Sequence, residues 1–256
     1  MRILLTNDDG INAPGLEALE EIAREISDDV WIVAPEADQS GASHSISISD
    51  PLRLREIGDK RFAVRGTPSD CVIMGLRHVL GDRRPDVVLS GVNRGQNVAE
   101  DVTYSGTIAG AIEGTILGVR SIALSQNLNR AREDLDDPFA VARAHGADVI
   151  RRILKVGEFG RDRLVNVNFP GCLPDEVKGV QITHQGQRDQ ELLKIERRVD
   201  GRGNPYFWIV FGQAEYKAVE GADLAAIRSG RISVTPLKID LTDEVLVDRL
   251  KAAFDD

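Results

Sequence analysis

Residues 1–10 read MRILLTNDDG, and this stretch decides how the rest of the chain is placed. Residues 1–6 are a short run with apolar side chains at consecutive positions, the pattern of a strand covered on both faces. Asn7-Asp8-Asp9-Gly10 then breaks it with turn-forming residues. Directly after, Leu16, Leu19, Ile22, Ala23 and Ile26 recur at helical spacing, with Glu17, Glu20, Glu21, Arg24 and Glu25 on the opposite face. Strand, turn and amphipathic helix in that order make the first half of a βαβ unit.

The pattern repeats outward. Residues 30–34 (VWIVA) form a second strand stopped by Pro35, and 86–90 (DVVLS) another, followed by a Gly/Asn-rich loop. Residues 105–117 read as a helix rich in small side chains, and 120–125 as one more strand. Apolar strands alternating with helices predict an α/β fold with a mostly parallel sheet between helical layers. Right-handed crossovers then bring the loops after Thr6, Ala34 and Ser90 to one sheet edge, outside the carboxyl ends of the strands.

The second half is less regular. Residues 139–154 have an amphipathic helical pattern, and 164–169 (LVNVNF) form a strand ended by Pro170-Gly171. Residues 197–210 read as a β-hairpin with Gly201-Arg202-Gly203-Asn204-Pro205 as its turn. Its Tyr206, Phe207 and Trp208 either serve as an oligomer contact or fold back over the core. Residues 232–236 are a strand, and 242–254 a final helix with Thr242 as its expected N-cap. The chain reads as one domain over 1–256, with a core over about 1–185 and a hairpin plus C-terminal extension over about 186–256.

Composition narrows the function. The 256 residues carry 32 Lys plus Arg against 41 Asp plus Glu, a net charge of −9, and 42 % are hydrophobic, enough for a substantial core. An acidic chain is a poor partner for a nucleic-acid polymer or an anionic membrane. A phosphorylated substrate then needs a local positive field, for which a divalent cation is the natural source. Cys71 and Cys172 are too few for a disulfide framework and read as small apolar residues. With no signal-peptide pattern and no apolar run of membrane-spanning length, the expected location is cytoplasmic.

The chemistry concentrates at Asp8-Asp9. Adjacent carboxylates at a buried strand end repel one another unless a cation or strong donors compensate, and oxygen-only ligation suits Mg²⁺ or Mn²⁺. Asp8 capping the next helix in a solvated turn is the alternative. Two further loops favour the metal: 35–45 (PEADQSGASHS) is small and hydroxyl-rich, and 90–97 (SGVNRGQN) offers glycine turns and neutral amide oxygens. Ser105, Gly106 and Thr107 then enter a helix whose N-terminal N–H groups suit a phosphate. His44 is a candidate proton donor to a leaving oxygen, since histidine is the side-chain type whose charge changes near neutral pH.

In order along the chain, NDDG, APEADQSGASHSIS, GTPSDCV at 66–72, and PDVVLSGVNRGQN followed by YSGTIAGAIEG resemble the SurE (survival protein E) family of metal-dependent nucleoside monophosphate phosphatases. The resemblance runs in order through roughly the first half and is weaker beyond it. It implies a Rossmann-like three-layer α/β/α core, one divalent cation per subunit, cytoplasmic residence, and a homodimer or homotetramer built through the hairpin and tail. Carried over by position, it implies Asp8, Asp9, Ser40 and Asn93 as metal ligands and leaves polyphosphate cleavage open. Ala99 departs from the pattern, in which a glycine often stands two positions after the second asparagine, Asn97.

The expected activity is hydrolysis of nucleoside 5′- and possibly 3′-monophosphates. Asp8 or Asp9 takes the proton of the attacking water, and Asn97, Ser105, Gly106, Thr107 and His44 contact substrate. Two alternatives remain at this stage. An aspartyl-phosphate mechanism is disfavoured because such enzymes usually separate their two aspartates by one residue. A non-catalytic nucleotide sensor has no need of paired carboxylates. A GxGxxG fingerprint is absent, which disfavours a dinucleotide-dependent dehydrogenase.

Overall fold

The structure, a computed structural model, describes residues 1–129, 136–188, 193–211 and 219–254. The opening run is β1 (Arg2–Thr6), followed by α1 (Pro14–Arg24) and β2 (Asp29–Pro35). Next come β3 (Arg53–Gly58), β4 (Arg61–Arg65), α2 (Pro68–Met74), β5 (Val87–Arg94), α3 (Gly106–Ile116) and β6 (Arg120–Gln126). The second half adds α4 (Ala140–Leu154), β7 (Arg163–Phe169), β8 (Val180–Ile182), β9 (Leu193–Val199), β10 (Pro205–Phe211), α5 (Asp223–Arg228), β11 (Ile232–Lys238) and α6 (Glu244–Phe254).

Nine strands form the main sheet in the order β3-β4-β2-β1-β5-β6-β7-β11-β8. Pairing is parallel except for β3 with β4 and β7 with β11. The first strand is therefore central, with Ile3 opposite Val30 on one side and Val87 on the other. Successive side chains of β1 serve different layers: Ile3 and Leu5 pack under α1 and α4, Leu4 with Val33, Cys71 and Val72 under α2. This is why Ile3, Leu4 and Leu5 are apolar in succession. Strand order reverses at β1, since the chain moves outward to β2 and returns to β5, and such a reversal opens a crevice beyond the carboxyl ends of the two strands.

Several elements differ from the sequence reading. The strand expected to end at Ser90 runs on to Arg94 as β5, with a bulge between Ser90 and Asn93 where it meets β6. Gly91 makes this possible: its φ is +141°, and a Cβ there would lie 2.2 Å from the Leu124 carbonyl oxygen. β3 (RLREIG) is charged along its length and β4 (RFAVR) has only three apolar residues between two arginines, so hydrophobic pattern announces the pair weakly. Thr67 and Asp70 form a reciprocal capping box on α2, as the turn composition suggests. The last helix is capped by Asp243, whose Oδ1 accepts from Leu246 N at 3.0 Å, rather than by Thr242. Cys71 is buried as expected, whereas Cys172 is only half-buried.

The hairpin is β9 and β10, a separate two-stranded sheet that starts earlier than expected. It projects: Ile195, Phe207, Trp208 and Ile209 are each more than half exposed. No residue of α6 is buried, and its Val245 and Phe254 are largely exposed. Among the described residues no helix is long and apolar enough to cross a membrane.

Candidate active site

Asp8 lies just past β1, pressed against the start of α3. It is 4 % exposed, and its Oδ1 accepts from the Thr107 hydroxyl at 2.5 Å. Gly106 permits this approach, because a Cβ there would come 2.8 Å from Asp8 Cβ. Asp9 turns the other way, toward the end of β5, where its Oδ2 accepts from the Arg94 N–H at 3.3 Å. One oxygen of each carboxylate thus takes a protein hydrogen bond, and the other is left for a different partner.

The loop after β2 is fastened to the same place. Gln39 N–H donates to the Asp8 carbonyl at 2.8 Å, which sets Ser40 beside the pair, and Ser40 N–H donates to Asp38 Oδ1 at 2.7 Å. On β5, Asn93 Nδ2 donates to the Gly95 carbonyl at 2.9 Å, which leaves Oδ1 as its free acceptor. Asp8 and Asp9 follow β1, Ser40 lies in the loop after β2 and Asn93 stands near the end of β5, so all four belong to the carboxyl ends of three neighbouring strands.

Electrostatics shows how under-compensated this cluster is. Burial, aided by the neighbouring Asp9 and Asp38 charges and opposed by the Thr107 hydrogen bond, pushes Asp8 up to about 6. Asp9 is raised too, chiefly by burial and by Asp38, against the Arg94 N–H and guanidinium. Arg94 offsets this negative charge only in part, and a divalent cation fits the remainder. Among the described residues no three His, Cys, Asp or Glu side chains gather as a metal cluster. The two carboxylates could hold a cation with Ser40 and Asn93 adding neutral oxygens, and hard oxygen donors suit Mg²⁺ or Mn²⁺.

The start of α3 is the second half of the site. Ser105 caps it, accepting from Ile108 N–H at 3.1 Å, and its carbonyl accepts from Ala109 N–H at 3.0 Å. Gly106 and Thr107 N–H belong to the first turn, where a helix offers no internal acceptor, so both remain available to an anion. The Thr107 hydroxyl is committed to Asp8, which confines the residue's expected phosphate contact to its backbone.

Asn97 and His44 are placed differently from the rest. Asn97 is buried and used as an anchor: its Nδ2 donates to Ser125 Oγ at 2.8 Å, its N–H to Asn168 Oδ1 at 2.8 Å, and its carbonyl accepts from Asn166 and Asn168. His44 Nε2 pairs with Glu113 Oε2 at 3.0 Å, two turns into α3. At 1.5 Å per residue that is about 10 Å along the axis from Gly106.

Supporting groups that the sequence reading passed over are Asp38, Glu113, Asp223 and the asparagine pair on β7. Asp223 is fully buried and accepts from Ala99 N–H at 2.9 Å and Gly186 N–H at 2.9 Å, tying the loop after β5 to α5. Two asparagines at alternate positions of an apolar strand, 166 and 168 in LVNVNF, were a readable sign of a buried polar network.

A family model described as Survival protein SurE matches residues 3–192. A protein of Methylorubrum populi named 5′-nucleotidase SurE is 65 % identical over 255 residues, covering 99 % of both chains. One of the same name from Methylobacterium radiotolerans is 64 % identical over 254 residues, again covering 99 % of both. Among solved structures, the SurE protein from Aquifex aeolicus superposes with a TM-score of 0.84 at 38 % identity, covering all of both chains.

Proposed function

This chain belongs to the survival protein SurE family, and from that premise we propose that it is a divalent-metal-dependent phosphatase that hydrolyses nucleoside monophosphates to nucleoside and phosphate. The observation that carries the reading is the carboxylate pair, Asp8 buried and Asp9 partly buried, both raised in pKa, beside the first-turn N–H groups of α3. Relatives named 5′-nucleotidase supply the substrate class.

In this reading Asp8, Asp9, Ser40 and Asn93 hold Mg²⁺ or Mn²⁺. Bound there, the cation supplies Lewis-acid chemistry, polarising a phosphoryl oxygen and lowering the pKa of water. Gly106 N–H, Thr107 N–H and the Ser105 hydroxyl orient the phosphoryl group and stabilise the charge spread over its oxygens. The carboxylate oxygen of Asp8 or Asp9 not engaged by protein takes the proton of the attacking water. Thr107 fixes the Asp8 carboxylate, and the Asn97 network holds the loop that follows Asn93. His44 serves as proton donor to the leaving oxygen only after releasing Glu113. The exposed apolar faces of the hairpin and α6 fit a homo-oligomer, and activity on 3′-monophosphates belongs to the same proposed chemistry.

Asp9→Asn tests the assignment, since it keeps the shape and removes a ligand charge. Titration calorimetry of the metal-stripped protein with Mn²⁺ should show a much weakened site, and turnover should fall by orders of magnitude. The melting temperature should stay the same or rise slightly, because a carboxylate repulsion is relieved. Unchanged Mn²⁺ affinity and near-normal turnover would remove Asp9 from the metal site.

A further inference from the structure

The phosphate-binding end of α3 is delivered by a short 3₁₀ turn, Ala99–Thr103. The Asp101 carbonyl accepts from Tyr104 N–H at 3.0 Å and from Ser105 N–H at 3.1 Å, so the residue that caps α3 hangs on Asp101. Gly106 follows, packed so closely on Asp8 that a Cβ would not fit, and this leaves the first turn of α3 little room to shift. A 3₁₀ turn is a poor source of such precision, because its internal hydrogen bonds are badly aligned. The precision has to come from what the turn is fastened to.

Three anchors fasten it. Asp223 accepts from Ala99 N–H at the start, and Ser43 Oγ donates to the Thr103 carbonyl at 2.8 Å at the end. Arg188 holds the middle: its N–H donates to Glu100 Oε2 at 2.8 Å, and its guanidinium Nη2 donates to Asp101 Oδ2. The Arg188 and Asp101 side chains are 28 % and 23 % exposed, so the pair is largely shielded from water. Burial pushes the Asp101 carboxyl up even with that guanidinium beside it, which makes the carboxylate dependent on its partner. We propose that Arg188 is a positioning residue for the phosphate cradle: through Asp101 it sets Ser105 and the Gly106 and Thr107 N–H groups where a phosphoryl group meets the Asp8–Asp9 edge. The proposal rests on the phosphatase reading above. It separates two functions: Arg188 governs the grip on phosphate, while cation affinity belongs to Asp8, Asp9, Ser40 and Asn93.

The test titrates the whole chain with Mn²⁺, and then the Mn²⁺-loaded protein with inorganic phosphate, by calorimetry, and follows hydrolysis of p-nitrophenyl phosphate. Arg188→Ala should weaken phosphate binding on the order of tenfold and lower kcat/KM at least as much, because displaced donors no longer meet the phosphoryl oxygens. Mn²⁺ affinity should match the wild type, a separation that general loosening of the fold would not produce. Arg188→Lys, which keeps the charge and loses the fork, should recover part of the phosphate affinity. Should Arg188→Ala fail to fold, Asp101→Asn replaces it: it removes a largely buried charge, keeps the shape, and should weaken phosphate binding several-fold. Wild-type phosphate affinity in Arg188→Ala or in Asp101→Asn, or a loss of Mn²⁺ affinity equal to the loss of phosphate affinity, would overturn the assignment. So would a wild type that binds no phosphate. A wild type that binds phosphate and Mn²⁺ but hydrolyses no p-nitrophenyl phosphate would instead overturn the phosphatase reading beneath it.

Discussion

Ala99 shows what a single residue costs at this site. It stands at φ +53°, in the left-handed region, and its N–H is held by Asp223. That conformation costs an L-residue about 1–2 kcal/mol, and glycine adopts it freely. The position where the resemblance leads one to expect glycine is thus a position whose backbone asks for glycine. Ala99→Gly should stabilise the protein by up to about 1 kcal/mol after the greater freedom of glycine in the unfolded chain is subtracted, read as a higher urea midpoint. A lower midpoint would mean that the Ala99 methyl, which is fully buried against Val98, Leu224 and Ile227, outweighs the strain. At the same scale, Asp8 and Asp9 were legible because turn residues interrupt an apolar run. Asp38 was not, because nothing in PEADQS separates a carboxylate aimed at a site from one in solvent.

Elements decide how the residues meet. β1 and β2 were legible because both faces of the sheet are covered, which leaves their centres, Ile3–Leu5 and Val30–Ala34, apolar at successive positions. The extension of β5 was hidden: Gly91 and Asn93 carry loop chemistry, and only the close passage of Leu124 explains a glycine inside a strand. The pair β3–β4 was hidden for the opposite reason, as an edge strand rich in charge resembles a loop. At the far end of the sheet, Asp29 on β2 ties in β1 and the turn between β3 and β4. It accepts from Lys60 Nζ at 2.8 Å, Trp31 Nε1 at 2.9 Å and Arg2 Nε at 2.7 Å, and these partners, Lys60 foremost, hold its carboxyl down to about 2. The folded value lies below the unfolded one, so this stabilisation is complete above about pH 4 and is lost as pH falls toward 2. With a third of the side chain exposed, solvent screening leaves about 1 kcal/mol. Asp29→Asn should lower the urea midpoint at pH 7, with the gap to wild type narrowing at pH 3. A gap that stays constant with pH would assign the effect to packing.

Across the whole molecule, apolar surface gathers away from the catalytic edge. Phe207 is 60 % exposed, Trp208 54 % and Ile209 66 % on the hairpin, and α6 presents Val245, Leu246, Leu250 and Phe254. Contiguous exposed apolar patches of this kind mark interaction surfaces. A second copy of the chain is the partner proposed here. Deleting residues 202–207 should reduce the mass measured by light scattering while the circular dichroism spectrum shows the core intact; an unchanged mass in that folded variant would take the hairpin out of the interface.

The central claim, that a cation at Asp8 and Asp9 and the free N–H groups of α3 together make a phosphatase, is tested most directly by phosphate release. The metal-stripped protein is offered a panel of nucleoside 5′- and 3′-monophosphates, with and without added Mn²⁺ or Mg²⁺. The account predicts release only when the cation is present, with the panel ranking base and phosphate position. No release from any nucleotide under either metal would contradict it, leaving a sheet edge that binds nucleotides without turning them over.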